Sequence, residues 1–336
     1  MAATLLDDLT GEARAFDVDT VALRRAIHRE PELGNDNPST QAKILQALEG
    51  LGLEITLGTS VTSVVADLVG GRPGPTFMLR ADTDALPMLE ESGEPFTSEI
   101  EGRAHSCGHD AHVAMLVGAA RLLAARRDDI AGTVRFVFQP GEEGCGGARN
   151  VIEEGALVAR DGGAVAATFA IHVSPNVPTG YVASRPGPLM AATDDFKVTV
   201  RGRGAHASTP HFGNDPVPVA CEMVQALQTF VTRRLDVFNS AVVTVGRIDA
   251  GTTTNVIADK AVMEGTIRTV SDFTRMSVTA GFERIVTNIA AAHECEVDID
   301  LRSGYPVTVN DPGFVEFASG VVEESLGRRY FSCRRQ

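Results

Sequence analysis

Short apolar runs alternate with helical apolar stripes through the first half of the chain. Residues 20–51 read as a helical N-terminal region, with Ala42, Leu45, Leu48 and Leu51 on one face. Pro75-Thr-Phe-Met-Leu79 has the unbroken apolar character of a buried strand. Ala111 to Arg126 predicts a helix whose stripe is Val113, Leu116, Ala120 and Leu123. Thr133–Phe138 and Ala164–Ile171 predict two further strands. Strands alternating with helices predict an α/β fold with a mostly parallel sheet.

The pattern changes after Pro186-Gly187-Pro188. From there it predicts a strand (195–201), a helix (215–235), two strands (240–248 and 261–268), a helix (272–292) and a strand (295–301). That β-α-β-β-α-β order is the ferredoxin-like α+β pattern, complete as a small domain. Residues 305–336 return to a helical pattern. The expected division is a larger domain of residues 1–187 and 304–336, interrupted by a smaller one of 188–303.

Composition narrows the function classes. Across 336 residues the formal net charge is −14, whereas a nucleic-acid partner would call for a basic face. The N-terminus has no basic segment followed by an apolar run, and no stretch approaches a membrane span, so neither signal peptide nor membrane is expected. Five scattered cysteines (107, 145, 221, 295, 333) suggest no disulfide framework, and a reducing cytoplasm is the expected location.

The candidate chemistry falls just beyond the predicted strand ends, where open α/β sheets bind their ligands. One strand runs into Arg80-Ala-Asp82-Thr-Asp84, a second into Glu142-Glu143 and a third into His172, while Cys107 and His109 precede a helix. Thiolate and imidazole are good ligands for zinc-like ions, and a carboxylate completes such a site. A second carboxylate beside them has the chemistry of a general base acting on water. Singly, each residue has a duller reading: a buried thiol, a solvated Glu-Glu turn, a core histidine, a turn-capping aspartate. Their convergence on one sheet edge favours the metal.

Five segments in order carry a resemblance over about residues 20–310. They are Leu79-Arg-Ala-Asp-Thr-Asp-Ala-Leu-Pro87, His105-Ser-Cys-Gly-His-Asp110, Phe138-Gln-Pro-Gly-Glu-Glu143, Gly202-Arg-Gly-Ala-His206 with Pro210-His211, and Asn255-Val-Ile with Gly265-Thr-Ile-Arg268. Together they resemble the M20 metallopeptidase family, and within it the amidohydrolase branch of hippurate hydrolases and auxin-conjugate hydrolases. The resemblance implies a metal-dependent hydrolase of N-acyl amino acids with two divalent ions (Mn, Zn, Co or Ni). It also implies a lid domain, here 188–303, through which a homodimer forms. Cys107, His109, Glu143 and His172 would be metal ligands, Glu142 the general base, and Asp84 a residue orienting a ligand or the water. His206 would steady the oxyanion in the neighbouring subunit's site, and Asn255 and Arg268 would grip the substrate carboxylate. His112 and His211 are as readily helix or turn residues.

The family pattern also includes a C-terminal Ser-Glu-Asp-Phe-type segment and a last histidine on the second metal, yet no histidine follows His293. A chain shortened at its C-terminus, with one metal site incomplete, is therefore the expectation. A dimeric remnant that binds ligand without turnover stands beside the hydrolase reading, as does a dipeptidase or deacetylase of the same fold.

Overall fold

The computed structural model describes residues 2–326 and 331–333. Of the expected C-terminal stretch 305–336, residues 327–330 and 334–336 lie outside the described residues. The chain forms two compact units, the first containing residues 2–181 and the second residues 182–322.

In the first unit the N-terminal helical region is three helices: α1 (Ala2–Ala15), α2 (Asp17–Arg29) and α3 (Pro38–Leu48). Pro38 occupies the first turn of α3, where its missing N–H costs nothing. Then come β1 (Glu54–Leu57), β2 (Val64–Val69), β3 (Arg72–Asp82), α4 (His109–Ala124), β4 (Ala131–Gln139), α5 (Gly147–Glu153) and β5 (Ala167–Ala170). The strand expected over 164–171 is thus shorter, and β1 and β2 are additional.

These strands form one sheet in the order β1-β2-β4-β3-β5. β3 lies parallel to β4 and β5, but β2 lies antiparallel to both β1 and β4. The sheet is therefore mixed, correcting the mostly parallel expectation. A parallel crossover needs a dozen or more residues. Only Gly70-Gly71 separates β2 from β3, so the chain must reverse there, and β4 fills the place between them.

One face of the sheet packs on the helices. Val64, Leu68, Phe136 and Phe138 from the strands meet Ile27, Ile44, Leu48, Val113 and Val117, all at most 2% exposed. Each such side chain contributes about 1.5–3 kcal/mol through burial. On β4, Arg135 forks onto its register partner Asp67 (Nε–Oδ1 and Nη2–Oδ2, both 2.8 Å) and donates to the carbonyls of Ala156 and Val158. The parallel trio β3, β4 and β5 ends at one edge, and α4 starts there.

The second unit contains β6 (Val182–Ser184), β7 (Gly187–Met190), β8 (Ala192–Arg201), β9 (Ala205–His206), α6 (Pro216–Arg234), β10 (Ala241–Ala250), β11 (Val256–Ile257), β12 (Lys260–Thr269), α7 (Asp272–Ala292), β13 (Glu296–Ser303) and β14 (Thr308–Asn310). Helix α8 (Pro312–Leu326) and the short strand β15 (Phe331–Cys333) follow. Strands β10-β12-β8-β13 form an antiparallel sheet. Alternation along β8 buries Phe196, Val198 and Val200 against Met223 and Leu227 of α6 and Phe282 and Val286 of α7. Both helices start on side-chain caps: Asp215 accepts from Val217 N–H, and Ser271 from Thr274 N–H. Among the described residues no helix is long and apolar enough to cross a membrane.

Candidate metal centre

At the shared strand edge, Asp82 closes β3, Asp84 follows it, Glu142-Glu143 follows β4, His172 follows β5, and His109 is the first residue of α4. The loop before α4 turns at Gly108, whose φ of 89° is the left-handed conformation that suits glycine. A Cβ there would also lie 2.3 Å from Val173 Cγ2, so Gly108 is what lets the His172-Val173 segment approach. On the other side, Gly141 (φ 71°) leaves room for Asn35 Oδ1, and Asn35 donates to the Cys145 carbonyl at 3.0 Å, bracing the loop that carries Glu142 and Glu143.

Asp84 is the organiser. Its side chain is buried and accepts the backbone N–H of Glu142 on Oδ1 (2.9 Å) and of Glu143 on Oδ2 (3.0 Å). Its own carbonyl lies 2.7 Å from His109 Nδ1. That contact places the His109 proton on Nδ1 and turns the Nε2 lone pair into the pocket. Around Nε2 stand Asp82 Oδ2 at 3.6 Å, Glu142 Oε2 at 3.9 Å and Glu143 Oε1 at 3.9 Å. His109 Nε2 and Glu143 Oε1 are buried without a hydrogen-bond partner.

His172 repeats the arrangement. Its Nδ1 lies 2.5 Å from the Val173 carbonyl, which leaves Nε2 facing Cys107 Sγ at 3.4 Å. Two imidazoles with Nδ1 anchored on a backbone carbonyl and Nε2 turned to a thiol and carboxylates have the form of metal ligands. Sets of three donor atoms lie close enough to share one ion: Cys107, His109 and His172 in one, His109, Glu142 and Glu143 in another. The orphaned nitrogen and oxygen, and the mix of S, N and O donors, fit divalent cations of the zinc type.

A third set, Asp82, His109 and His112, is equally close, but its chemistry differs. His112 Nε2 accepts the Val173 N–H at 2.9 Å, so its proton is on Nδ1, which donates to Asp82 Oδ1 at 2.5 Å. Neither nitrogen keeps a free lone pair. Asp82 also accepts from Arg80, which in turn donates twice to Gln139.

Charge follows the geometry. Burial alone would depress the basicity of His109, but the proximity of Asp84 and Cys107 and the charge of Asp82 lift its pKa to about 11. The negative groups gathered around His109 favour a cation here. The Cys107 contact raises His172 to about 9 against opposing burial, and His109 and then His172 lower the Cys107 thiol. Burial would raise Asp82, yet its hydrogen bond from His112 and the charge of Arg80 hold it well below the usual carboxylate range. Glu142 moves the other way: burial, then the charges of Glu143 and Asp82, push its carboxyl up.

Of the residues singled out in the sequence, Cys107, His109, Glu142, Glu143, His172 and Asp84 come together here. His206, Asn255 and Arg268 belong to the second unit. There β9 pairs with β11 so that Val256 opposes His206, and Ala207 N–H donates to the Asn255 carbonyl at 3.0 Å. Arg268 on β12 donates to the hydroxyls of Thr193 and Thr266. The bracing roles of Asp82, His112 and Asn35 were not read from the sequence. Neither was the network behind α4, in which Asp110 accepts from Arg24 and His28.

Residues 78–333 match the model of peptidase family M20/M25/M40. The chain is 41% identical over 305 residues to an N-acetyl-L-cysteine deacetylase of Bacillus subtilis (strain 168), covering 91% of this chain and 71% of that one. It is 38% identical over 315 residues to the IAA-amino acid hydrolase ILR1-like 2 of Arabidopsis thaliana, covering 93% and 70%. Among solved structures, the YXEP protein of Bacillus subtilis, described as a dinuclear metal binding peptidase from the M20 family, superposes with a TM-score of 0.79. It is 36% identical, with 96% of this chain and 83% of that one covered.

Proposed function

The chain belongs to peptidase family M20/M25/M40 and is a metal-dependent amidohydrolase, and on that premise we propose that it cleaves N-acyl amino acids to a carboxylic acid and an amino acid. Two relatives named for N-acetyl-L-cysteine and IAA-amino acids share one scissile group, an amide on an amino acid's nitrogen. The observation that carries the reading is the pair of inward Nε2 atoms, on His109 and His172, facing a thiol and two carboxylates at one strand edge.

Cys107, His109, Glu143 and His172 hold the metal in this reading, with two ions as in the dinuclear relative. When bound, a divalent ion supplies Lewis acidity to the scissile carbonyl and to the attacking water. The chain's own part is proton transfer and orientation. Glu142, its carboxyl made more basic by burial, takes the proton from water and returns it to the leaving nitrogen. Asp84 fixes that carboxylate by holding the backbone of residues 142 and 143. His206 is assigned to the oxyanion in the neighbouring subunit's site, and Asn255 and Arg268 to the substrate carboxylate, for which the guanidinium fork of Arg268 is suited. The second unit, with its β-α-β-β-α-β order, is read as a ferredoxin-like lid through which a homodimer forms.

The experiment is a substrate panel. Purified protein supplied with Mn²⁺, Co²⁺ or Zn²⁺ is tested on N-acetyl and N-benzoyl amino acids, hippurate included, and on dipeptides. Release of amino acid from the N-acyl compounds, abolished by chelator, supports the reading. Cleavage of dipeptides alone would replace it with a dipeptidase, and no turnover with bound metal would leave a ligand-binding protein.

A further inference from the structure

We propose that His112 is a positioning residue for His172, tying the end of β3 to the end of β5 through the first turn of α4. The inference rests on the metal-centre reading of Cys107 and His172. His112 accepts the N–H of Val173, the residue directly after His172, at 2.9 Å, and donates to Asp82 at 2.5 Å. Its ring also packs edge-on against the His172 imidazole, with centroids 4.6 Å apart and planes at 70°. Val173 is thereby pinned from two sides, by His112 through its backbone and by the bare face of Gly108 under its side chain.

This bracing matters because His172 has little else. It is an exposed residue on an irregular segment after a four-residue strand, and its ring contacts are Cys107, His109, His112 and the neighbouring carbonyl. With both its nitrogens engaged, His112 does not ligate. It sets the direction of the peptide from which His172 Nε2 reaches the thiol, and Asp82 in turn sets the tautomer of His112. Residues that orient metal ligands in this way typically change metal affinity by about 10–100-fold when lost.

The test uses cobalt on the metal-stripped full chain, read by the thiolate-to-cobalt absorption of Cys107, by bound equivalents, and by the melting temperature of the stripped protein. In His112→Asn the shorter amide keeps a donor for Asp82 but falls short of Val173. Cobalt affinity is expected to drop about 10–100-fold with the final equivalents unchanged. In His112→Gln the amide oxygen reaches the Val173 N–H and affinity is expected to recover most of that loss, with both stripped variants melting alike. Wild-type affinity and spectrum in His112→Asn would overturn the role. So would loss of a whole equivalent in both variants, which would make His112 a ligand. Absence of the thiolate–cobalt band in the wild type is a separate result that removes the metal-centre reading itself, and the bracing role with it.

Discussion

Cys107 Sγ and His172 Nε2, 65 residues apart in the chain, lie 3.4 Å from one another and within shared ligand reach of His109. Local sequence does not bring such a pair together; the packing of the start of α4 against the segment after β5 does. Cys107→Ala is expected to abolish the thiolate–cobalt absorption and to weaken metal binding by more than about 100-fold. Calorimetric titration with cobalt checks it, and unchanged affinity would remove the thiol from the site.

Glu142→Gln keeps the shape of the side chain and removes its basicity. The turnover number is expected to fall by about 10²–10⁴-fold, with metal content by elemental analysis unchanged. Because burial raises the Glu142 pKa, the unprotonated base is lost on the acid side at a higher pH than an ordinary glutamate's value of about 4.3. The acid limb of the wild-type rate profile should therefore lie above that value.

Asp67→Ala leaves Arg135 of β4 buried without its carboxylate. A loss of about 3–5 kcal/mol is expected, read from urea denaturation. The double variant Asp67→Leu with Arg135→Met should lose less than the single one, since no charge is then left uncompensated.

His28 lies between Asp110 (2.8 Å) and Glu90 (3.1 Å). The hydrogen bond it donates to Asp110 raises its pKa, against burial and with help from Glu90. A raised folded value means that this stabilisation is complete below the unfolded value of about 6.5 and fades as pH climbs through the folded one. The stability difference between wild type and His28→Gln, about 1–3 kcal/mol at its largest, should accordingly be greatest in mild acid. Urea midpoints across pH measure it, and a difference that grows toward alkaline pH would contradict the assignment.

Much of the site was legible because its residues stand at the ends of apolar runs: Glu142 and Glu143 after Phe138, His172 after Ile171, Cys107 and His109 before a helical stripe. The periodicity also located α4, β4 and both long helices of the second unit to within a few residues. Strand order is a different kind of information. Val64–Val69 is a strand by composition, but nothing local says that β4 rather than β3 lies beside it. His112 was indistinguishable from an ordinary helix residue, because its role depends on which nitrogen holds the proton. That is settled by Val173 N–H, which lies 61 residues away in the chain.

The place of β4 between β2 and β3 has a consequence for how the molecule comes into being. Strands β2 and β3, joined by two glycines, are synthesised before β4, and their facing peptide groups leave a slot that only β4 fills. That slot stays vacant until Ala131–Gln139 has been synthesised. The loop bearing Glu142 and Glu143 follows directly, so the segment that joins β2 to β3 in the sheet is also the one that delivers the two acids.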